Sequence, residues 1–393
     1  ESLCIDGRNG EILWRRKAPD TPIGYHHTDN NPAASTPAVD AERLYVYFGS
    51  YGLLCYDHAG KELWRRPVPT PENMHGVATS PIVHEDVLYL MRDSMKLGDS
   101  YLLALDCREG SELWKTRRLT WNPNFSTPVI FRHDVITEIV SLGGGALTSY
   151  DARSGIELWK VTGFGSSIPI PIVGDKYLYA SSLAGTDGET RMRAHDWNYY
   201  LAFDKNGDGQ VAIEEIPKDA QYRADPSRPD LLIPVHQVAP IFDQNQNGIV
   251  TRGEFDRFEK LIGAAGDSSV QAIRAGGRGD ITDSHVAWRY GKSIPFVPSC
   301  LFLNGRLYMA KSGGVVTCLN ARTGERIYQK RLGRGNYFAS PVAANNRIYL
   351  ASKEGTVTVF RAGDEPEVLA RNDLKGSINS SPVSYTHLTL PTS

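Results

Sequence analysis

Apolar residues along this chain come in short runs separated by turn-forming clusters, and the runs are grouped in fours. In STPAVDAERLYVYFGSYGLLCYDHAGKELW the runs are PAV, RLYVYF, GLLCYD and ELW. Runs this short, bounded by Gly, Pro, Asn and Asp, predict a meander of antiparallel strands. The unit recurs. A small residue before Pro opens it at Thr36-Pro37, Ser80-Pro81, Thr127-Pro128, Ser340-Pro341 and Ser381-Pro382, with successive prolines 44 and 47 apart in the first group and 41 apart in the last pair. Pro suits the first residue of a strand, where its missing N–H is tolerated. Trp14, Trp64, Trp114, Trp159 and Trp288 close the units, with Tyr328 in the same place in the next. Before four of these aromatics stands a turn: Asp6-x-x-x-Gly10, Asp106-x-x-x-Gly110, Asp151-x-x-x-Gly155 and Asn320-x-x-x-Gly324. Asp or Asn hydrogen-bonds the turn backbone and Gly supplies a positive φ.

One small four-stranded sheet cannot bury both of its faces. Stacking such units around an axis covers the faces and leaves only short, protected edges. Units of 41 to 47 residues have the period of a propeller rather than of a solenoid. The expected fold is all-β, a β-propeller of seven or eight four-stranded antiparallel blades. There are six full units, a tail-half at 1–14 and a head-half at the C-terminal end. Seven blades result if the halves complete each other. Eight, the expectation for the intact protein, result if each half lacks its complement. The recurrent tryptophans are expected to fill the space between blades.

The spacing breaks once. Between Pro169 and Pro298 it jumps to 129, so about 85 residues are added. YLYAS precedes the addition, and VQAIRAGG with VAWRY completes the blade after it. This places an insertion at 184–268, between the second and third strands, flanked by propeller segments 1–183 and 269–384. A weaker alternative takes YLAFD (200–204) as the third strand. The insertion holds two matches to the calcium-loop pattern: DKNGDGQVAIEE, with Asp204, Asn206, Asp208, Gln210 and Glu215, and DQNQNGIVTRGE, with Asp243, Asn245, Asn247, Ile249 and Glu254. Calcium takes six to eight oxygens, and this loop wraps them around one centre. Gly209 and Gly248 make the sharp turn; Gln210 and Ile249 ligate through backbone carbonyl; Glu215 and Glu254 ligate with both oxygens. Val211 and Val250 occupy the position at which paired EF-hand loops form a short strand pair. Pro217 cuts short the helix after the first loop, whereas TRGEFDRFEKLIGAAG predicts a helix after the second. An α-helical EF-hand pair binding calcium is therefore expected, the first loop more tightly because it has three carboxylates against two.

Composition narrows the remaining classes. Net charge is −2 and the pI about 6.6, with no long Lys/Arg run, so nucleic acid is not an expected partner. No stretch approaches the apolar length of a membrane span. Cys4, Cys55, Cys107, Cys300 and Cys318 form no C-x-x-C pair, and three of them share one strand position. Nucleophile-elbow, zinc-protease and phosphate-loop motifs are absent. GGRGD at 276–280 reads as a blade turn. The crossing segments between blades carry His26, His27, Asn30, His75, Asn124, Asn336 and Tyr337, which are candidates for a polar binding site at the channel mouth. The chain begins within a repeat, and a signal peptide is expected upstream. YTHLTLPTS (385–393) departs from the repeat and is read as a non-native tail.

The pattern S/T-P-x-V, then L-Y, then D-x-x-x-G-x-x-L-W resembles the PQQ-like β-propeller repeat family. Its members include quinoprotein alcohol dehydrogenases and an outer-membrane assembly lipoprotein. GGRGDIT, HVAWRY, IPFVPS and NYFASPVAANNRIYLAS are similar to secreted or periplasmic members that carry EF-hands. Quinoprotein members typically hold adjacent cysteines, which this chain lacks, so PQQ is not expected. The resemblance implies a monomeric, periplasmic or secreted, non-catalytic scaffold for an unknown protein or small-molecule ligand. A PQQ-dependent oxidoreductase is the alternative.

Overall fold

The computed structural model describes residues 1–24, 26–27, 30–73, 75–94, 99–118, 125–143, 145–165, 168–182, 197–223, 232–243, 245, 247–263 and 268–382. Six antiparallel sheets follow one another along the chain. Blade A is Ala38–Val39, Arg43–Phe48, Gly52–Asp57 and Glu62–Pro67; blade B is Ile82–His84, Val87–Arg92, Tyr101–Asp106 and Glu112–Arg117. Blade C is Val129–His133, Ile136–Gly143, Ala146–Asp151 and Glu157–Thr162; blade D is Ile172–Val173, Tyr177–Ser182, Ser269–Arg274 and Val286–Tyr290. Blade E is Leu301–Leu303, Arg306–Lys311, Val315–Asn320 and Arg326–Arg331; blade F is Val342–Ala344, Arg347–Ala351, Thr356–Arg361 and Val368–Asp373. A hairpin of Ser2–Ile5 and Ile12–Arg16 precedes them, pairing Cys4 with Trp14 as blade A pairs Cys55 with Trp64. First strands of successive blades lie side by side, A by B, C by D, D by E and E by F. The sheets therefore radiate from an axis as in a β-propeller.

Burial explains the apolar runs. The two middle strands of a blade are covered on both faces, so Leu53, Leu54, Cys55 and Tyr56 are all buried. Strands buried on both faces lose the alternation of a half-exposed strand. The outermost strand keeps it: in Glu62–Pro67 only Trp64 is buried.

Neighbouring blades are joined by one recurring contact. The Trp of the fourth strand donates to a carbonyl of the next blade, and at two seams a Tyr of the second strand donates to the same carbonyl. At the seam of blades A and B, Trp64 Nε1 donates to the Cys107 carbonyl at 3.0 Å, while Tyr45 Oη, 3.4 Å from the same carbonyl, gives its proton to Asp40 at 2.7 Å. Tyr89 and Trp114 reach the carbonyl of Ala152 at 3.1 and 3.2 Å, and Tyr179 and Trp288 reach that of Ala321, both at 3.1 Å. The turn glycine of the next blade lies under the same indole. A Cβ on Gly110 would come within 2.7 Å of the Trp64 ring, and Gly60, Gly155 and Gly324 stand likewise under Trp14, Trp114 and Trp288. The glycine is required twice, for its positive φ and for this close approach.

A second contact runs along the blade starts. Thr36 N–H donates to Ser80 Oγ, Ser80 N–H to Thr127 Oγ1, Ser299 N–H to Ser340 Oγ and Ser340 N–H to Ser381 Oγ, at 2.8 to 3.0 Å. The same bond joins Ile170 N–H to Ser299 Oγ at 3.0 Å. It corrects the sequence anchors: blade D starts after Pro171, not Pro169, and blade E after Cys300, not Pro298. The spacing of 129 is unchanged, since both anchors shift by two.

The seam between blades C and D differs. Val140 stands where other blades have Tyr, and Trp159, fully buried, donates to Glu138 of its own blade at 2.9 Å. GGRGD is more than the turn expected from sequence. Gly279–Asp280 add to blade C as a fifth, parallel strand, pairing with Trp159 and Lys160. Ile281 is buried in the blade C core, and Thr282 Oγ1 accepts from Thr162 N–H at 2.9 Å.

Blade D takes its third strand from Ser269–Arg274. The alternative third strand at 200–204 is overturned, because Trp197–Leu201 is helical. Residues 183–268 thus stand between the second and third strands of blade D. Strand direction alternates, so this connection leaves the blade at the end where the crossing segments run. Gly110→Ala is expected to destabilise the protein by about 2–4 kcal/mol, combining positive-φ strain with a clash against Trp64. Gly10→Ala, at φ +78° with nothing within 4 Å of its Cβ, should cost about 1 kcal/mol, both read from chemical denaturation.

Candidate functional site

The inserted segment builds two helix–loop units. Helix Trp197–Leu201 leads into the first acidic loop, which ends in the short 3-10 turn Ile213–Glu215 before Pro217. Helix Val235–Phe242 leads into the second, and Arg252–Gly263 leaves it. Trp197, Tyr200, Phe242 and Phe255, with Val235, form a buried and largely aromatic core of the lobe. The loops are joined where the sequence placed them, with Val211 paired to Val250 and Ala212 to Ile249. Ile213 N–H adds a bond to the Gly248 carbonyl at 2.9 Å.

The two loops are wound alike. Asp204 accepts from Gly207 and Gly209 N–H at 2.8 and 2.9 Å, while Asp243 accepts from Asn247 and Gly248 N–H at 3.1 and 2.8 Å. Asn206 and Asp208 accept from the backbone two residues on, as do Asn245 and Asn247. Glu215 folds back onto Lys205 and Ala212 N–H, and Glu254 onto Thr251 N–H and Oγ1. Asp243 and Glu254 are buried, whereas the first loop is largely exposed. Gly209 and Gly248, at φ +78° and +82°, make the turn. Among the described residues no group of three or more His, Cys, Asp or Glu is placed to hold a metal ion. Two of the five donors of the first loop and three of the five of the second are Asn or main-chain oxygen, and the carboxylates are turned onto backbone N–H groups. The donors are nonetheless oxygen only and lie at matching positions. That chemistry fits a hard cation once the carboxylates turn inward. Gln210 and Ile249 take part through their main chains.

The channel-mouth candidates fall into two groups. His27 and His75 meet edge to face at 5.3 Å, and His75 meets Phe125 the same way at 5.3 Å. Asn30 Nδ2 donates to the carbonyls of His75 and Val77 at 2.7 and 3.1 Å, so it ties two crossing segments together. His26 is exposed beside them, its Nδ1 3.4 Å from the Gly24 carbonyl. Asn336 and Tyr337 stand apart from these. Asn336 N–H and Nδ2 donate to Glu354, and Tyr337 is buried in the core shared by blades E and F. Asn124 lies outside the described residues.

A buried polar cluster was not legible in the sequence. Arg118 meets Asp93 at 2.9 Å, with side chains 3% and 0% exposed, and it also donates to Ser141 and Tyr150 of blade C. Burial works against the Arg118 charge, but the adjacent Asp93 carboxylate outweighs it and holds the guanidinium above its ordinary value. Arg92 donates to the carbonyls of Pro69 and Asp99, each at 2.6 Å. The only sequence signal was charge directly after an apolar strand, in VLYLMRD. Glu138 is buried too, accepting from His133, Ser149 and Trp159. All five cysteines are free, and burial pushes the thiols of Cys55, Cys300 and Cys318 up to about 12, which keeps them protonated at neutral pH. No described helix is long and apolar enough to cross a membrane.

Burial, and then the charge on neighbouring His27, hold His75 below its ordinary pKa. Protonating His75 is therefore disfavoured in the folded state, and its contribution to loop stability is lost as pH falls through its folded pKa. Proton resonances of the ring should titrate below 6.5. His27→Asn should move that midpoint part of the way back up; no movement would show that the two rings are not coupled.

No curated protein matches the chain. Among solved structures, the crystal structure of BamB from Moraxella catarrhalis aligns with 95% of this chain and 83% of its own, at a TM-score of 0.56 and 14% identity. The computationally designed Ika8 protein aligns with 89% and 90%, at a TM-score of 0.40 and 11% identity. The first likeness is one of fold. The sequence profile described as outer membrane protein assembly factor BamB matches residues 1–130, 98–200 and 267–366, leaving 201–266 in the insertion unmatched. With its repeats matched over most of its length, the chain belongs to this PQQ-type repeat family of outer membrane protein assembly factor BamB.

Proposed function

We propose that this protein is a non-catalytic interaction scaffold of the periplasm or the extracellular space, whose inserted lobe takes up calcium. The family description, that of an assembly factor, supports the scaffold reading. The same description supports a place outside the cytoplasm. The observation that carries the calcium reading is the pairing of the two loops at Val211 and Val250, which brings equivalent oxygen donors into equivalent places. Asp204, Asn206, Asp208, the Gln210 carbonyl and Glu215 would hold one ion; Asp243, Asn245, Asn247, the Ile249 carbonyl and Glu254 would hold the other. Unoccupied, Asp204, Asp208 and Glu215 repel one another within one small loop. A divalent ion cancels that repulsion. The propeller has hydrophobic cores separate from that of the lobe, so it is expected to stay folded when the ion is removed.

The quinoprotein reading is not favoured. The chain has no adjacent cysteines, and the family it belongs to is described as an assembly factor. The partner of the scaffold is a protein or a small molecule, and the His27–His75 end of the crossing segments is where its binding is best sought.

Calorimetric titration of the full chain should show up to two calcium sites, the first tighter. Glu215→Gln and Glu254→Gln should each weaken one site at least about tenfold, by removing the charge of the bidentate ligand. Chelation should leave the strand signal in circular dichroism intact. Absence of uptake at millimolar calcium would remove the calcium reading and leave the scaffold reading standing.

A further inference from the structure

A small, partly open pocket lies at the seam of blades A and B, lined in part by the crossing segment between them. Its volume is about 10 Å3, and it is lined by Tyr47, Asn73, Val77, Thr79, Arg92 and Asp93 among others. That is the room one water molecule needs, and a water is held only where two or more polar groups meet it. Tyr47 is 2% exposed, and its Oη has no hydrogen-bond partner among the described residues. Leaving a buried phenol unpaired is costly, so such groups are normally satisfied by protein or by ordered water. Thr79 Oγ1 donates to the Met91 carbonyl at 3.0 Å, which leaves its lone pairs to accept. The charges around the cavity are already balanced within the protein: Arg92 reaches Asp99 at 3.0 Å, and Asp93 reaches Arg118 at 2.9 Å. An added ion of either sign would upset that balance, whereas a neutral molecule that both donates and accepts would not.

We propose that one ordered water occupies this cavity, accepting from Tyr47 Oη and donating to Thr79 Oγ1. It then ties the second strand of blade A to the crossing segment that carries His75. The site lies apart from the calcium loops, so it stands or falls independently of them.

Two measurements on the full chain decide it. A crystal structure that resolves internal waters should show a single peak within hydrogen-bond distance of Tyr47 Oη and of one further polar group. A dry cavity overturns the proposal. Tyr47→Phe keeps the ring and removes only the hydroxyl. If the hydroxyl is bonded to water, the Tm should fall by about 1–3 °C. If the hydroxyl is an orphan, its removal relieves a penalty, and an unchanged or raised Tm likewise overturns the proposal.

Discussion

The architecture depends on how one blade grips the next. Each four-stranded sheet is too small to be stable alone, so the contact between sheets decides whether they form a ring. Here that contact is an indole laid over a glycine turn, with its N–H and, at two seams, a tyrosine O–H sharing one carbonyl of the next blade. The parts reinforce one another. The indole supplies a large apolar area. The donors fix its orientation and satisfy a buried carbonyl that the turn would otherwise leave exposed to cost. The glycine permits both the turn and the approach. Asp106 holds that turn in shape by accepting from the N–H groups of Arg108 and Glu109. Turn chemistry and packing between blades are therefore one device, repeated around the axis.

The departure at the seam of blades C and D shows what the device supplies. There the tyrosine is Val140, the indole of Trp159 turns back to Glu138, and the short turn is replaced by residues 275–285. The lost grip is made good by other means: a parallel strand pair, a buried Ile281 and a Thr162–Thr282 bond. This is also the blade that hosts the insertion. A blade split by some 86 residues, 183–268, closes its sheet late in the chain, and the added strand pair gives its later half a second attachment.

The lobe and the crossing segments leave the blades at the same end, so the polar features gather there. They are of two kinds. Asn30 and Arg92 donate to backbone carbonyls, and Asn336 donates to the Glu354 carboxylate, so all three hold loops in place. His27, His75 and Phe125 form an edge-to-face aromatic series, with His75 exposed and the other two half-buried. Arg118, paired with Asp93 within blade B, also donates to Ser141 and Tyr150 of blade C, in a setting where losing either partner of the pair would strand a buried charge.

Much of this was readable in the sequence because it is local. The strand runs, the D-x-x-x-G turns and the acidic loops are each specified by neighbours within a dozen residues. So is the place of Val211 and Val250 within their loops. The tertiary structure decided what depends on residues far apart. It set the start of blade D at Pro171 through a hydroxyl on Ser299, 129 residues away. It made Gly110 the seat of Trp64 and turned GGRGD into a fifth strand. It separated Asn336 and Tyr337 from His27 and His75, and it paired Arg118 with Asp93. Hydrophobic period and turn chemistry are written along the chain. Which donor meets which carbonyl across a seam is fixed only when the blades are brought side by side.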